Sequence, residues 1–345
     1  MEKYLVGLSG GADSAYAAML LKKAGNAVEG VYLKMFAAAD EGPAKRTAQE
    51  LGIPFHVLDC TDLFEEKVLK HFAESYKKGL TPNPCVECNR YVKIRELCRY
   101  AEYMGFDWVV TGHYGSIGRT EEGRYYVCRA ENEKKDQSYV LWGLTQKELS
   151  MLFLPLSATE KEELRLVLEK EGVAAHGAKD SMDICFLPEG NYAQFVTERL
   201  GECPPGNFVD ENGKVLGPHK GILHYTVGQR KHLGIALGQP MFVSRINPLS
   251  NTVTLVPSGT EYGKRARVTG LNFQSLAPRK AGDEGCFAVK MRYGQAPVPV
   301  TVSFDGEGAE LLFDQPVRAV TPGQSAVFYD GEKLAFGGYV VPFED

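Results

Sequence analysis

A glycine-rich segment between an apolar strand and a helix constrains this chain more than any other feature. The residues SGGADS run from Ser9 to Ser14, after the apolar run 4–8 and ahead of a helix that we expect to end at Gly25. Glycines let backbone N–H groups approach a polyphosphate, serine hydroxyls add donors, and a helix start adds positive potential. We therefore interpret the segment as an anion-binding loop rather than as a turn that merely reverses the chain.

This loop differs from two common nucleotide-binding loops. It lacks the lysine and the longer spacing of a Walker A loop, and it lacks the three-glycine dinucleotide fingerprint. Ordinary γ-phosphate hydrolysis and hydride transfer are therefore disfavoured. SGGADS instead resembles the pyrophosphatase-type loop of the adenylating N-type ATP hydrolases, which include argininosuccinate, asparagine and GMP synthetases and several RNA-modifying enzymes. That resemblance implies that Asp13 helps to manage magnesium and pyrophosphate.

The pattern of elements divides the chain into an α/β part and an all-β part. From residue 4 to about 200, short apolar strands alternate with amphipathic helices, which is typical of a doubly wound parallel sheet. Beyond Pro204, short alternating segments are separated by glycine, proline and hairpin dipeptides such as Asn212-Gly213 and Asp330-Gly331. We expect this second part to form two small sheets or barrels that meet near Tyr262.

The first part contains apolar strand signals at 4–8, 28–35, 55–58 and 108–111. We expect the helices between them to run from about 14 to 25, 62 to 79 and 91 to 105, with two more that end near 172 and 200. Capping-box-like pairs, Asp62 with Glu65 and Thr159 with Glu162, mark two helix starts.

Composition excludes several classes of protein. We find no secretory leader and no apolar run that approaches a bilayer span, so we expect a cytoplasmic protein with no membrane contact. Eight cysteines in 345 residues are too sparse for a secreted disulfide framework, which makes reduced thiols the default. The formal net charge of -5 argues against a uniformly basic nucleic-acid coat and leaves local basic patches open.

Three cysteines stand out. Cys85 and Cys88 lie in TPNPCVECNR, on an extended segment before the helix expected from Tyr91. The helix start and the nearby cations Arg90 and Lys93 favour reactive thiolates there. Cys185, in the loop KDSMDICF, is the natural third member because a side chain there can face a cleft.

Three interpretations compete for these thiols. A structural zinc site lacks a fourth ligand at suitable spacing. Redox or sulfur-transfer chemistry and an iron–sulfur cluster held by three cysteines both fit, and the residues alone do not separate them. We place the remaining cysteines outside the site, with Cys203 in a loop. Small core residues are expected at Cys60, Cys98, Cys128 and Cys286.

Motifs in every part of the chain resemble the tRNA-specific 2-thiouridylase family, and they occur in the family's order. They are SGGADS, TPNPCVECNR, VTGHY, KDQSY, DICF, HYTVGQRKHLGI, MRYGQ and AVTPGQSAVFYDGE. The resemblance implies an ATP-binding domain, a small central β domain and a C-terminal β-barrel that together grip a tRNA anticodon arm. The corresponding boundaries are 1–203, 204–262 and 263–345.

The same resemblance implies site residues. Cys88 matches the nucleophile and Cys185 matches the cysteine that carries a persulfide. The positions that match the ATP site are Gly7, Leu8, Ser9, Gly10, Gly11, Ala12, Asp13 and Ser14, with Leu33 and Gly112 near the adenosine. The positions that match tRNA contacts are Asn83, Pro84, Cys85, His113, Lys135, Asp136, Gln137, Arg292, Tyr293 and Gln324.

The reaction that this resemblance implies is chemically coherent. The C2 oxygen of the anticodon wobble uridine is a poor leaving group, so ATP with Mg²⁺ first transfers AMP to it. A persulfide on Cys185, loaded by an upstream sulfur donor protein, then delivers sulfur to C2. Cys88 attacks the persulfide or accepts the resulting bond, which leaves a Cys88–Cys185 disulfide for a reductant to reset.

The chain departs from the family's common form at three positions. Cys85 stands where an aspartate assists proton movement, and a thiol differs from a carboxylate in pKa and hydrogen bonding. Either Cys85 is a resolving or spare thiol, or Cys85, Cys88 and Cys185 hold an iron–sulfur cluster whose open iron carries the sulfur. We favour the persulfide route. Ala15 replaces a serine and His232 replaces a glycine, and neither change removes a group that the chemistry requires.

Two other functions compete with thiolation. One is a tRNA-binding protein that keeps the fold without catalysis, which only the substitution at Cys85 supports. The other is a metabolite ligase such as argininosuccinate synthetase, which shares the loop. That second function leaves the cysteines and the β domains unexplained.

Overall fold

A parallel sheet organises the first part of the chain. The computed structural model describes residues 2–178, 184–187 and 191–343. The first seven strands are β1 (Lys3–Gly7), β2 (Ala27–Lys34), β3 (Phe55–Asp59), β4 (Trp108–Val110), β5 (Ser116–Arg119), β6 (Tyr125–Cys128) and β7 (Leu152–Phe153). Five of them form the sheet in the order β3-β2-β1-β4-β7, with every pair parallel. The predicted doubly wound α/β class is confirmed.

Helices cover both faces of this sheet. They are α1 (Ala12–Lys23), α2 (Gly42–Leu51), α3 (Thr61–Phe64), α4 (His71–Lys77), α5 (Pro84–Cys88), α6 (Ile94–Met104), α7 (Gln146–Met151), α8 (Lys161–Lys170) and α9 (Tyr192–Leu200). Apolar side chains of α1, α2 and α8 pack in one core, and those of α6 pack in another with β1 and β4. Among the residues described, no helix is long and apolar enough to cross a bilayer.

Several helix starts differ from the prediction. The helix expected from Tyr91 begins seven residues earlier, at Pro84, and continues through a π-helical segment, Asn89–Lys93, into α6. Neither predicted capping box forms, since Cys60 and Glu160 occupy the N-cap positions without a side-chain bond. At the first of these starts the side chain of Asp59 accepts the Thr61 N–H instead, at 2.9 Å.

The central β region is a small sheet. Its strands are β8 (Gly206–Val209), β9 (Val215–His219), β10 (Met241–Asn247) and β11 (Thr252–Pro257), in the order β10-β11-β8-β9. The predicted Asn212-Gly213 turn joins β8 to β9, with Gly213 at φ +80°. His232 has φ +61°, in the left-handed region that favours glycine, so the backbone there keeps a glycine-like conformation despite its side chain.

The last region closes into a β-barrel, as the family resemblance implied. Its strands are β12 (Tyr262–Phe273), β13 (Glu284–Lys290), β14 (Val298–Phe304), β15 (Gly308–Arg318), β16 (Ser325–Asp330) and β17 (Lys333–Val341). They follow the order β12-β15-β14-β13-β16-β17, and pairing of β12 with β17 closes the ring. Stacked Phe328 and Phe336 rings, 4.1 Å apart, lie in its core.

The barrel and the α/β region share one hydrophobic core. Trp142 is fully buried between them, and its Nε1 donates to Ser325 Oγ at 2.9 Å. A Cβ added to Gly337 of β17 would lie 2.6 Å from the indole, so only glycine lets the strand approach it. The hairpin of β5 and β6 also extends the barrel sheet through the pair Lys333 and Cys128. Sequence patterns did not predict this merged core.

We expect Trp142→Ala to lower the free energy of unfolding by about 3–5 kcal/mol, because it removes a large side chain that fills the junction. Leu249→Ala is the matched control, since that side chain is 98% exposed and its loss should change stability by less than about 0.5 kcal/mol. Urea denaturation followed by circular dichroism measures both. Equal stability of the two variants would contradict a shared core centred on Trp142.

Candidate active site

The glycine loop lies at the carboxyl end of β1, where ligands bind in open parallel sheets. Two serine hydroxyls stabilise the backbone of the loop. The Gly11 N–H donates to Ser9 Oγ at 3.3 Å, and Ser14 Oγ donates to the Gly11 carbonyl at 3.1 Å. Gly10 has φ +81°, and a Cβ there would lie 2.6 Å from Pro43. The loop is thus a preformed turn that leads into the N-terminus of α1.

The two outlying ATP positions lie at the same edge of the sheet. Leu33 is the penultimate residue of β2. Gly112 follows β4, and a Cβ there would lie 2.7 Å from the Ser14 backbone nitrogen. Gly112 therefore allows the segment after β4 to lie directly against the start of α1.

Asp13 has two partners that the sequence patterns did not identify as site residues. Lys161 Nζ donates to both carboxylate oxygens of Asp13, at 2.7 and 2.6 Å, and the Tyr114 hydroxyl donates to one of them at 2.8 Å. Lys161 is buried at the first position of α8. Tyr114 belongs to the VTGHY motif, but nothing in the sequence paired either residue with a carboxylate about a hundred or more positions away.

The first two cysteines of the expected trio lie on a helix rather than ahead of one. Asn83 caps this helix, α5, by accepting the Cys85 N–H at 3.1 Å, and Pro84 is its first residue. Cys85 is exposed, whereas Cys88, three residues later, is buried. The prolines and Asn83 that predicted an extended segment therefore act as a helix start.

The expectation of a thiolate at Cys88 is wrong for this conformation. Its sulfur lies 3.7 Å from Met35 Sδ within an apolar cluster. Burial raises the pKa of the Cys88 thiol to about 12, and the charge of Lys93 offsets only part of that shift. The other expected cation, Arg90, instead donates to the Tyr339 hydroxyl at 3.1 Å.

The fold brings Cys85, Cys88 and Cys185 into one region. Burial raises the pKa of Cys185, and the neighbouring Cys85 raises it further. Phe186, the residue after Cys185, packs against the apolar cluster that contains Cys88, and Cys85 lies three residues before Cys88 on α5. All three are free thiols. Asp183, which precedes Cys185 in the DICF motif, lies outside the described residues.

Within residues 2–178, 184–187 and 191–343, no group of three or more His, Cys, Asp or Glu side chains is arranged to hold a metal ion. The cysteines outside the trio follow the prediction in part. Cys60 and Cys98 are buried, and Cys128 is half-buried. Cys286 is exposed on β13, so its prediction as a core residue is wrong, because its strand turns that face outwards.

Some of the residues that match tRNA contacts lie inside the protein. His113 is buried, its Nδ1 is hydrogen-bonded to Thr111 Oγ1 at 2.8 Å, and burial, helped by Lys93, lowers its pKa to about 3. Gln137 accepts the Tyr114 N–H at 3.0 Å. Gln137 thus joins the KDQSY motif to the VTGHY motif, whereas the bond of His113 lies within VTGHY.

Asp136 is engaged entirely within the protein. Its carboxylate is fully buried and accepts from Lys290 Nζ of β13 at 3.0 Å and from Ser138 Oγ at 2.9 Å. In this conformation the side chain has no access to RNA, in contrast to what the resemblance implied. The bond to Lys290 instead links the α/β region to the barrel, beside the half-buried Lys135.

The three tRNA positions in the barrel region differ in accessibility. One amino group of Arg292 donates to the carbonyls of Val227 and Ala319, each at 3.1 Å, so this side chain bridges the central region and the barrel. Gln324 Nε2 donates to the Thr81 carbonyl at 2.8 Å. Tyr293 is 44% exposed, its ring meets Tyr139 edge-to-face at 5.9 Å, and partial burial, helped by the charges of Asp136 and Cys85, raises its pKa.

The loop at the sheet edge and the grouped thiols define a nucleotide-binding α/β protein equipped for sulfur chemistry. Family models match the chain as a tRNA methyl transferase HUP domain over residues 2–189, a tRNA methyl transferase PRC-barrel domain over 193–257 and an aminomethyltransferase beta-barrel domain over 265–340. Together with its full-length relatives, these matches show that the chain belongs to the tRNA-specific 2-thiouridylase family.

Two of those relatives are named tRNA-specific 2-thiouridylase MnmA. The protein from Clostridioides difficile is 40% identical over 98% of each chain, and the one from Clostridium acetobutylicum is 40% identical over 98% of this chain and 99% of its own. Among solved structures, a 4-thiouridine synthetase–RNA complex with bound ATP matches 53% of this chain and 44% of its own at 22% identity. Its TM-score is 0.37.

We expect Cys88 to react slowly with iodoacetamide at pH 7 and progressively faster up to about pH 10, because its thiol has a pKa of about 12 and only the thiolate reacts. Lys93→Met should slow the reaction further at each pH, since it removes the charge that lowers this pKa. Lys93→Arg is the control that keeps the charge. Peptide mass spectrometry follows the modification, and faster labelling of Lys93→Met would contradict the assigned electrostatics.

We expect Asp13→Asn to destabilise the fold by about 1–3 kcal/mol, because it removes the carboxylate charge that accepts two hydrogen bonds from the buried Lys161 ammonium. The double variant Asp13→Asn with Lys161→Met should recover part of that loss, since both charges are then absent. A denaturation-based double-mutant cycle measures the coupling free energy. Additive effects would show that the ion pair contributes nothing to stability.

Proposed function

We propose that this protein is an ATP-dependent tRNA 2-thiouridylase that replaces the C2 oxygen of the wobble uridine by sulfur. One observation carries the proposal: full-length membership of the 2-thiouridylase family in a chain whose fold groups Cys85, Cys88 and Cys185 in one region. A metabolite ligase would not need such thiols. The proposed domain division is 1–203 for ATP binding, 204–262 for the central β domain and 263–345 for the barrel.

The first step activates uracil. The backbone N–H groups of residues 9–14 and the N-terminus of α1 are suited to bind the phosphates of ATP. Attack of the C2 oxygen on the α-phosphorus forms the adenylated base and releases pyrophosphate. Asp13 carries carboxylate oxygens of the kind that Mg²⁺ prefers, so this side chain would hold the ion, and the ion when bound would supply positive charge for the departing pyrophosphate. Lys161, which contacts Asp13, keeps that carboxylate oriented.

The second step transfers sulfur. The terminal sulfur of a Cys185 persulfide attacks C2 and expels AMP, which leaves C2 bonded to Cys185 through two sulfur atoms. The Cys88 thiolate then attacks the Cys185 sulfur, the S–S bond breaks, and its electron pair stays on the sulfur of 2-thiouridine. The cysteines end as a disulfide, and a two-electron reductant restores them. Because Cys88 is buried, the loss of its proton is the demanding part of this sequence.

The proposal assigns partners as well. The anticodon arm would approach the exposed Tyr293 of the barrel region and the half-buried Lys135 of the α/β region. A persulfide-carrying protein would load Cys185, which is exposed. We place the reaction in the cytoplasm, because a reducing compartment regenerates the thiols after each turnover.

An iron–sulfur cluster held by Cys85, Cys88 and Cys185 is the alternative sulfur carrier. Three thiols suit such a cluster chemically. Burial of Cys88 nevertheless favours its protonated form, and within the described ranges the three side chains are not arranged as a metal site. These observations favour the persulfide as the sulfur carrier. Anaerobic purification with iron and sulfide analysis tests it: a stoichiometric cluster whose removal abolishes activity would replace the persulfide route.

The main test measures 2-thiouridine in tRNA after incubation with ATP, Mg²⁺ and a persulfide donor, by nucleoside mass spectrometry. We expect product from the wild type and at least a hundredfold less from Cys88→Ser and Cys185→Ser. Both variants should still release pyrophosphate in a tRNA-dependent manner, because adenylation precedes sulfur transfer. Cys286→Ser, which alters an exposed thiol on the barrel, is the control and should retain full activity.

Failure of the wild type to thiolate tRNA under oxic and anoxic conditions would favour a non-catalytic tRNA-binding protein. Release of pyrophosphate with a small amino acid and no RNA would favour a metabolite ligase instead.

A further inference from the structure

The barrel contacts the chain on both sides of Cys85 and Cys88. We call residues 81–90 the cysteine segment. At its start, the Thr81 N–H donates to the Pro322 carbonyl at 2.9 Å, and Gln324 Nε2 donates to the Thr81 carbonyl at 2.8 Å. A Cβ added to Gly323 would lie 2.7 Å from the Thr81 nitrogen. The loop between β15 and β16 therefore lies directly on the start of the cysteine segment.

The second contact involves Glu87, which lies between the two cysteines. This residue is only 5% exposed, and the Tyr339 hydroxyl of β17 donates to its carboxylate at 2.6 Å. The same hydroxyl accepts from Arg90 at 3.1 Å. Burial and the charge of Glu87 raise the pKa of Tyr339, so its hydroxyl keeps the proton that it donates. The three side chains form a chain of bonds from the barrel to α5 and the π-helical segment that follows.

The hydrogen bond between Tyr339 and Glu87 fixes the orientation of α5, the helix that carries Cys85 and Cys88. Cys88 is the next residue on α5, so a rotation of this helix that separates Glu87 from Tyr339 also displaces the Cys88 sulfur. The Cys88 sulfur itself lies 3.7 Å from Met35 Sδ and is hydrogen-bonded to the backbone at Lys93, and sulfur forms weaker hydrogen bonds than oxygen or nitrogen. The orientation of Cys88 thus depends on polar bonds made by its neighbours, of which the bond to the barrel is the shortest.

We propose that Tyr339 is a positioning residue for sulfur transfer: its hydroxyl holds Glu87 and Arg90 and thereby fixes Cys88 in the orientation needed to reach Cys185. This inference rests on the proposed function. It assigns the barrel a part in the sulfur step in addition to contact with RNA.

The hydroxyl is separable from the packing of the Tyr339 ring. The ring meets Trp142 edge-to-face at 5.0 Å, and that contact does not involve the oxygen. Tyr339→Phe therefore removes the bonds to Glu87 and Arg90 and keeps the aromatic contact. Tyr262→Phe is the matched control, because Tyr262 lies on β12 of the same barrel and is 49% exposed.

The experiment compares wild type, Tyr339→Phe, Glu87→Ala and Glu87→Gln in single-turnover thiolation. We expect sulfur transfer to slow about tenfold in Tyr339→Phe and Glu87→Ala, since a small displacement of a reacting group carries a cost of this order. Glu87→Gln keeps an oxygen acceptor and should retain more activity. The Kd for tRNA and the rate of pyrophosphate release should stay within about twofold of wild type.

Iodoacetamide labelling of Cys88 should be several-fold faster in Tyr339→Phe, because a loosened segment exposes the thiol more often.

The outcomes separate this inference from the proposed function. A wild type that makes no 2-thiouridine would overturn the function, while Cys88 labelling would still report on positioning. Wild-type thiolation with unchanged sulfur transfer and unchanged labelling in Tyr339→Phe would overturn the inference alone. Equal losses of tRNA affinity, pyrophosphate release and sulfur transfer would also overturn it, because they would indicate general destabilisation.

Discussion

The packing of Trp142 between the α/β region and the barrel is the interaction on which the arrangement of the site depends. The indole is fully buried, its N–H is bonded to Ser325, and its ring occupies the space that Gly337 leaves open. Because side chains from both regions belong to this core, neither can shift without opening an apolar interface. The barrel is therefore fixed against the α/β region closely enough for single hydrogen bonds, such as that from Tyr339 to Glu87, to have a defined geometry.

The phosphate-binding loop and the sulfur site depend on different physical interactions. The phosphate loop uses backbone groups and a charged cluster, Asp13 with Lys161, at the open edge of a sheet. The sulfur site instead places Cys88 among apolar side chains, where burial keeps the thiol protonated. A protonated thiol is protected from chance oxidation and is also a poor nucleophile. Reactivity at Cys88 then depends on how its surroundings respond when substrate is present.

Sequence patterns predicted those strands and turns whose signals lie within a few neighbouring residues. Four strands of the first sheet, β1 to β4, and the hairpin turn at Gly213 follow from apolar runs and glycine chemistry, whereas the short β7 was not predicted. The start of α5 was misplaced because Pro84 marks either an extended segment or the first turn of a helix, and only packing decides between them. The bonds of Asp13 to Tyr114 and of Asp136 to Lys290 were missed because these partners lie at least 100 residues away in sequence. The thiolate prediction failed for a related reason, since burial is a property of the fold and not of neighbouring charges.

The hairpin of β5 and β6 carries a consequence for biosynthesis. This hairpin lies in the first half of the chain, yet it pairs with β17, which ends at Val341. During translation its outer edge and the apolar side chains around Trp142 emerge long before the strands that cover them. Contacts of such long sequence separation form slowly, and unpaired strand edges invite association with other chains. The nascent chain therefore carries an incomplete core until β17 emerges, and this single strand then completes both regions at once.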